Sequence, residues 1–125
     1  MGTRNEALIK AAAALGGGIA SSGRTCGILT GGVVFLSSLF GKDRPEGKDH
    51  PRMWRLSYKL TRKFEELTKE FGGVDCRDIA RVDWKDKEAV KAFYNATAGG
   101  RNTCRKLVGD TACALGEILD QADQP

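Results

Sequence analysis

The sequence predicts an all-α, single-domain bundle of five to six helices packed around a central glycine-rich helix. Three observations lead there. Apolar residues recur three or four apart over several long stretches, the spacing of one helix face. No run alternates apolar and polar residues for six positions, and Val33-Val34 is the main β-branched cluster, so strands have little to build on. Three prolines and sixteen glycines in 125 residues describe helices punctuated by glycine rather than broken by proline. At this length, with 41% apolar and 29% charged residues, residues 1–125 are expected to form one domain with a real core.

The first helix covers about residues 5–15, with Asn5 as its cap and Leu8, Ile9, Ala12 and Leu15 on one face. Gly16-Gly17-Gly18 ends it; a phosphate-cradling loop would need a Gly-Lys-Ser/Thr ending and a preceding strand, and has neither. The second helix runs from about Cys26 to Phe40, capped by Thr25 and free of charge throughout. Gly23, Gly27 and Gly31 recur every four residues and share one side of it, which invites a neighbouring helix or leaves room for a group beside Cys26. Gly27 and Gly31 are therefore candidate cofactor contacts. Residues 41–51 read as a mobile charged loop of turn residues.

Pro51 opens the third helix, about Pro51 to Glu70. Its core stripe is Met53 or Trp54, Leu56, Leu60, Phe64, Leu67 and Phe71, and Tyr58, four residues after Trp54, fits a core-facing position as well. Asp75 caps a short helix, Cys76 to Arg81. Asp83 or Asp86 opens the next, about Lys85 to Ala96, with Val90, Phe93 and Tyr94 turned inward, and Gly99-Gly100 stops it. The last helix spans about Thr103 to Gln121, with Thr103 as cap and Leu107, Val108, Thr111, Leu115, Ile118 and Leu119 as its buried face.

Charge excludes some functions. The net charge of +4 is mixed rather than blocked: Arg52, Arg55, Lys59, Arg62 and Lys63 are followed at once by Glu65, Glu66 and Glu70. That is a solvated helix surface, and it lacks the long basic stripe with interleaved aromatics that nucleic acid requires. The uncharged run from Thr25 to Phe40 is sixteen residues, short of a bilayer span. The N-terminus has no secretory pattern, and four cysteines without one argue for reduced thiols and a cytoplasmic setting. The single histidine, His50, lies in a polar turn, and no serine, histidine and acid combination is visible, which leaves hydrolase or transferase chemistry without machinery.

The cysteines carry the most information. Cys26 follows Thr25, Cys76 follows Asp75 and Cys104 follows Thr103, so each follows a capping residue at an expected helix start. Backbone amides and the helix dipole favour a thiolate there. If the three starts converge, Cys26, Cys76 and Cys104 form a shared site, either as redox thiols or as metal ligands. Thiolates suit an iron–sulfur cluster, zinc or copper(I). No Cys-x-x-Cys is present to mark a zinc ribbon. Cys113 comes nine residues after Cys104, half a turn out of phase, and reads as a small buried residue in a close helix contact beside Gly109 and Gly116.

These pieces resemble one family. Gly17-Gly18-Ile19, then Gly23-Arg24-Thr25-Cys26-Gly27-Ile28-Leu29-Thr30-Gly31-Gly32, is similar to the Gly-Gly-Gly-Met and Cys-Gly-Ala-x-x-Gly region of the C_GCAxxG_C_C family. Asp75-Cys76-Arg77-Asp78-Ile79 resembles its Asn-Cys-Arg-Glu-Leu, and Thr103-Cys104-Arg105-Lys106-Leu107-Val108 its closing Cys-x-x-x-Val helix. The resemblance covers roughly residues 5 to 120. It implies a small all-helical protein with four hallmark cysteines and a redox role, three of which correspond to Cys26, Cys76 and Cys104. Ile28 stands where the motif has alanine, and the family's first cysteine, in an N-terminal helix, has no counterpart here.

Two functions follow. One is a redox-active or metal-binding protein using clustered cysteines, with a homodimer or a redox or transport protein as partner. The other is a non-catalytic interaction module with inert buried thiols, associated with an electron-transfer or transport assembly.

Overall fold

The computed structural model describes residues 5–95 and 100–123, and within them the chain is all-α. Six α-helices appear among the described residues: α1 (Glu6–Ala11), α2 (Gly27–Phe40), α3 (Pro51–Leu67), α4 (Cys76–Ile79), α5 (Lys87–Phe93) and α6 (Arg101–Ala122). Single 3-10 turns follow α1 at Ala13–Leu15 and α3 at Lys69–Phe71.

The core is a three-helix arrangement in which α2, α3 and α6 each pack on the other two. Leu56, Leu60 and Phe64 of α3 meet Leu29 and Leu36 of α2 and Leu107 and Ile118 of α6. Close approach of α2 and α3 depends on Gly32: a Cβ there would lie 2.7 Å from Leu60 Cδ2. The expected glycine side works differently. Gly27 is closed over by the backbone of Leu15, whose carbonyl oxygen would be 2.9 Å from an added Cβ, and Gly31 has nothing within 4 Å.

Several boundaries and faces differ from expectation. Asn5 does cap α1, its Oδ1 accepting from the Leu8 amide at 3.0 Å. That helix ends early, however, at Ala11, and Ile9 is 56% exposed. Trp54 and Tyr58 are exposed, at 72% and 66%, since α3 turns Leu56, Leu60 and Phe64 to its partners and the aromatic pair lies off that stripe. Tyr94 and Val108 are also exposed, while Ala114 is buried in α6. Asp86 is the cap of α5, accepting from the amides of Glu88 and Ala89. Ala96 and Gly99 lie outside the described residues.

The charged loop is cross-braced: the Lys42 amide donates to Asp49 Oδ1 at 2.8 Å, and the Gly47 amide to the Arg44 carbonyl at 3.0 Å. His50 caps α3, its Nδ1 accepting from the Arg52 amide at 3.0 Å while its ring packs beside Phe40. That is a structural role for the only imidazole in the chain.

The least expected segment follows the triple glycine. Gly17, Gly18, Ile19, Ala20 and Ser21 all have φ between 51° and 72°, a left-handed turn five residues long. L-residues enter this region singly, at about 1–2 kcal/mol each. The turn is held by backbone bonds at both ends, including Ala20 N–H to the Ala14 carbonyl at 2.7 Å, and Gly23 and Arg24 N–H to the carbonyls of Gly17 and Gly18 at 3.0 Å. It delivers the chain in extended form to Cys26.

Candidate functional site

Two extended segments meet in front of α2 and α4. Thr25 and Asp75 form an antiparallel bridge. On either side of it the Cys26 amide donates to the Val74 carbonyl at 3.0 Å, the Cys76 amide to the Arg24 carbonyl at 2.6 Å, and the Arg77 amide to the Gly23 carbonyl at 3.2 Å. Side chains alternate across such a ladder, so Cys26 and Cys76 fall on the same face, opposite to Thr25 and Asp75. They are diagonal neighbours, a relation that sets Cα atoms about 7–8 Å apart.

The bridge also changes the expected capping. Thr25 is held in the ladder and does not cap α2; Cys26 is itself the N-cap residue. Asp75 does stand at the N-cap of α4, which makes Cys76 its first residue. Cys104 is displaced from the expected helix start. Gly100 is the N-cap of α6, three residues before Thr103, and the Cys104 amide is already bonded to the Gly100 carbonyl at 3.3 Å. Its sulfur therefore receives no help from free helix-start amides.

Burial and charge then set the thiols. Cys26 and Cys76 are buried, at 6% and 8% exposure, and Cys104 is partly buried. Cys104 joins the two cores of the molecule: it packs against the large one that contains Cys26 and against a smaller one formed by Cys76, Ala80, Val82 and Phe93. Loss of water raises the Cys26 pKa. The Ile28 and Leu29 amides pull it back without closing a capping bond, and the Cys76 sulfur pushes it up again. Burial, then the sulfurs of Cys26 and Cys76, raise Cys104 to about 11. The expected acidic, amide-stabilised thiolates are thus overturned: at Cys26 desolvation outweighs the two amides, and at Cys104 desolvation acts with no amide against it. The neighbouring sulfurs enter these shifts only as secondary causes, after burial.

These shifts have a measurable sign. A thiol whose folded pKa lies above the usual 9.0 contributes stability that is complete below pH 9 and is lost as pH rises through about 11. Unfolding by urea is expected to need progressively less denaturant from pH 9 to 11. Over pH 8 to 10, iodoacetamide labelling of Cys104, followed by mass spectrometry, is expected to accelerate about tenfold per pH unit. A plateau at pH 9 would contradict the raised value.

Cys113 stands apart. It is exposed on α6, its Sγ 3.8 Å from Glu117 Oε1, so the expected buried helix contact is not there. Gly109 and Gly116 on that side have nothing within 4 Å of an added Cβ. Gly18 is the participant that sequence reasoning missed. A Cβ on it would sit 2.5 Å from the Arg24 carbonyl oxygen and 2.7 Å from Cys76 Cβ, so this glycine lets the left-handed turn press against the back of the cysteine bridge. The run of three glycines was visible, but nothing in Ile19-Ala20-Ser21 signals that the left-handed turn continues through them.

Among the described residues, no group of three His, Cys, Asp or Glu side chains is arranged to hold a metal ion, and no helix is long and apolar enough to cross a membrane. No curated protein and no solved structure matches this chain. One family does, over residues 1–118: it is described as "Putative redox-active protein (C_GCAxxG_C_C)". With 118 of 125 residues matched, this chain belongs to the C_GCAxxG_C_C family.

Proposed function

We propose that this chain is a thiol-based redox protein in which Cys26 and Cys76 are the working pair and Cys104 is a third sulfur at their side. The observation that supports it best is the Thr25–Asp75 bridge, which brings Cys26 and Cys76 from fifty residues apart to one ladder, with Cys104 packed against the cores that hold each of them. Ionised together, the sulfurs repel. Either a sulfur–sulfur bond or a bound cation removes that repulsion.

The donor set favours the first. An iron–sulfur cluster or zinc would take Cys26, Cys76 and Cys104 as thiolate ligands, yet these sulfurs do not meet as a three-ligand group. Disulfide chemistry needs only the bridge pair. One of the pair, as thiolate, attacks a disulfide on a partner and expels one partner sulfur as thiolate. The other then loses its proton to water, attacks the mixed disulfide and releases the second partner sulfur. Two electrons pass to the partner, which leaves as a dithiol, and Cys26 and Cys76 are left joined. The diagonal spacing, about 7–8 Å between Cα atoms, lies at or just beyond the limit of about 7 Å that a disulfide spans, so closing the bond draws the two segments together. A bond closed at that limit is readily reduced again, as catalytic disulfides are.

The test is oxidation of anoxically purified protein in glutathione buffers poised from roughly −300 to −150 mV, with differential alkylation, mass spectrometry and metal analysis. The expected product is a Cys26–Cys76 disulfide with Cys104 and Cys113 still alkylated, lost completely in Cys76→Ser. Four free thiols throughout would establish the inert interaction module instead. Stoichiometric iron or zinc on the three cysteines would establish the metal centre.

A further inference from the structure

Beside the cysteine bridge, but not reaching the sulfurs, lies a cleft of about 620 Å³. One wall is Ala20 to Gly23, where the left-handed turn ends; the other carries Arg77, Arg81 and Lys85. We propose that this cleft binds a small organic anion bearing a carboxylate or phosphate group. The inference is independent of the redox reading.

Three observations converge on it. First, the cations are spaced four apart and line one opening. Among the described residues, the Lys85 ammonium and the Nη atoms of Arg77 and Arg81 have no hydrogen-bond or ion-pair partner. Only the Nε edges are used: that of Arg77 donates to the Gly23 carbonyl at 3.1 Å and lies 3.7 Å from Asp75 Oδ2, and that of Arg81 donates to the Asp78 carbonyl at 3.4 Å. Two free guanidinium edges are forks suited to carboxylate or phosphate oxygens.

Second, the lining holds three cations against one acid, Asp83, so it keeps a surplus of positive charge; Asp83 Oδ1 accepts from the Lys85 amide at 2.9 Å. Third, the backbone around the cleft is strained. The L-residues Ala20, Ser21 and Arg81 have φ of 51°, 60° and 53°. Such strain persists only where the surroundings enforce it, and it gathers at ligand clamps. The volume is in the range of small-molecule sites.

Trp84 lines the cleft and reports on it. In a Trp54→Phe background it is the only tryptophan. Titration with inorganic phosphate and with citrate, each against sodium chloride of equal ionic strength, is expected to give a saturable change in emission with a midpoint below about 1 mM. The response should weaken about tenfold in 0.5 M chloride and at least tenfold in the Arg81→Gln/Lys85→Gln variant. That variant spares the Arg77 bond that ties down the turn. Saturation by phosphate alone assigns a phosphoryl ligand, and by citrate alone a carboxylate ligand. No saturable response to either, or an undiminished response in the variant with native circular dichroism, overturns the proposal.

Discussion

A Gly18→Ala variant is expected to be less stable than the parent by about 3 kcal/mol or more, measured by urea unfolding. Two costs add. Gly18 has φ of 72°, where a Cβ costs about 1–2 kcal/mol. The new methyl would also lie 2.5 and 2.6 Å from Arg24 oxygen and nitrogen and 2.7 Å from Cys76 Cβ. Two of these are backbone atoms already hydrogen-bonded, the oxygen to the Cys76 amide and the nitrogen to the Gly18 carbonyl, so they cannot yield as a flexible side chain would; overpacking of this kind costs about 1–3 kcal/mol. The damage should be local as well as global, with Cys76 labelled by iodoacetamide faster than in the parent. A loss below 1 kcal/mol would mean that the left-handed turn does not press on the cysteine bridge.

Truncating Phe64 to alanine is expected to cost about 3–5 kcal/mol. The ring is fully buried, at 0% exposure, in the cluster that joins α2, α3 and α6. The lost transfer energy is therefore compounded by a cavity that three helices cannot all move to fill. The hydroxyl of Thr68, also buried, donates to the Phe64 carbonyl at 2.8 Å, a bond the substitution leaves in place, so the loss reports packing. Trp54→Ala on the same helix is the control: at 72% exposure it should change stability by no more than about 0.5 kcal/mol. Equal losses at the two positions would refute the assignment of the α3 core face.

The difference between those two aromatics shows how far periodicity carries. Leu56, Leu60 and Phe64 recur at four, and a helix with that spacing can bury them on one stripe whatever its neighbours are. Trp54 and Tyr58 share the same spacing two residues earlier. Only the positions of α2 and α6 decide which of the two stripes faces inward. The caps divide in the same way. Asn5 and Asp86 cap as their side chains suggest, because the bond is local. Thr25 does not, because a segment fifty residues away claims its backbone.

What the sequence determined by itself was the all-α class, the two long amphipathic helices and the family motifs around Cys26, Cys76 and Cys104, because helix periodicity and short motifs are properties of neighbouring residues. Their chemistry was decided by tertiary structure. Thiols read as acidic from their place near helix starts instead have raised pKa values at Cys26 and Cys104, chiefly because both are desolvated and, second, because neighbouring sulfurs act on them. The bridge that the left-handed turn feeds and the cationic cleft beside it likewise join residues far apart in the chain, which no local pattern encodes.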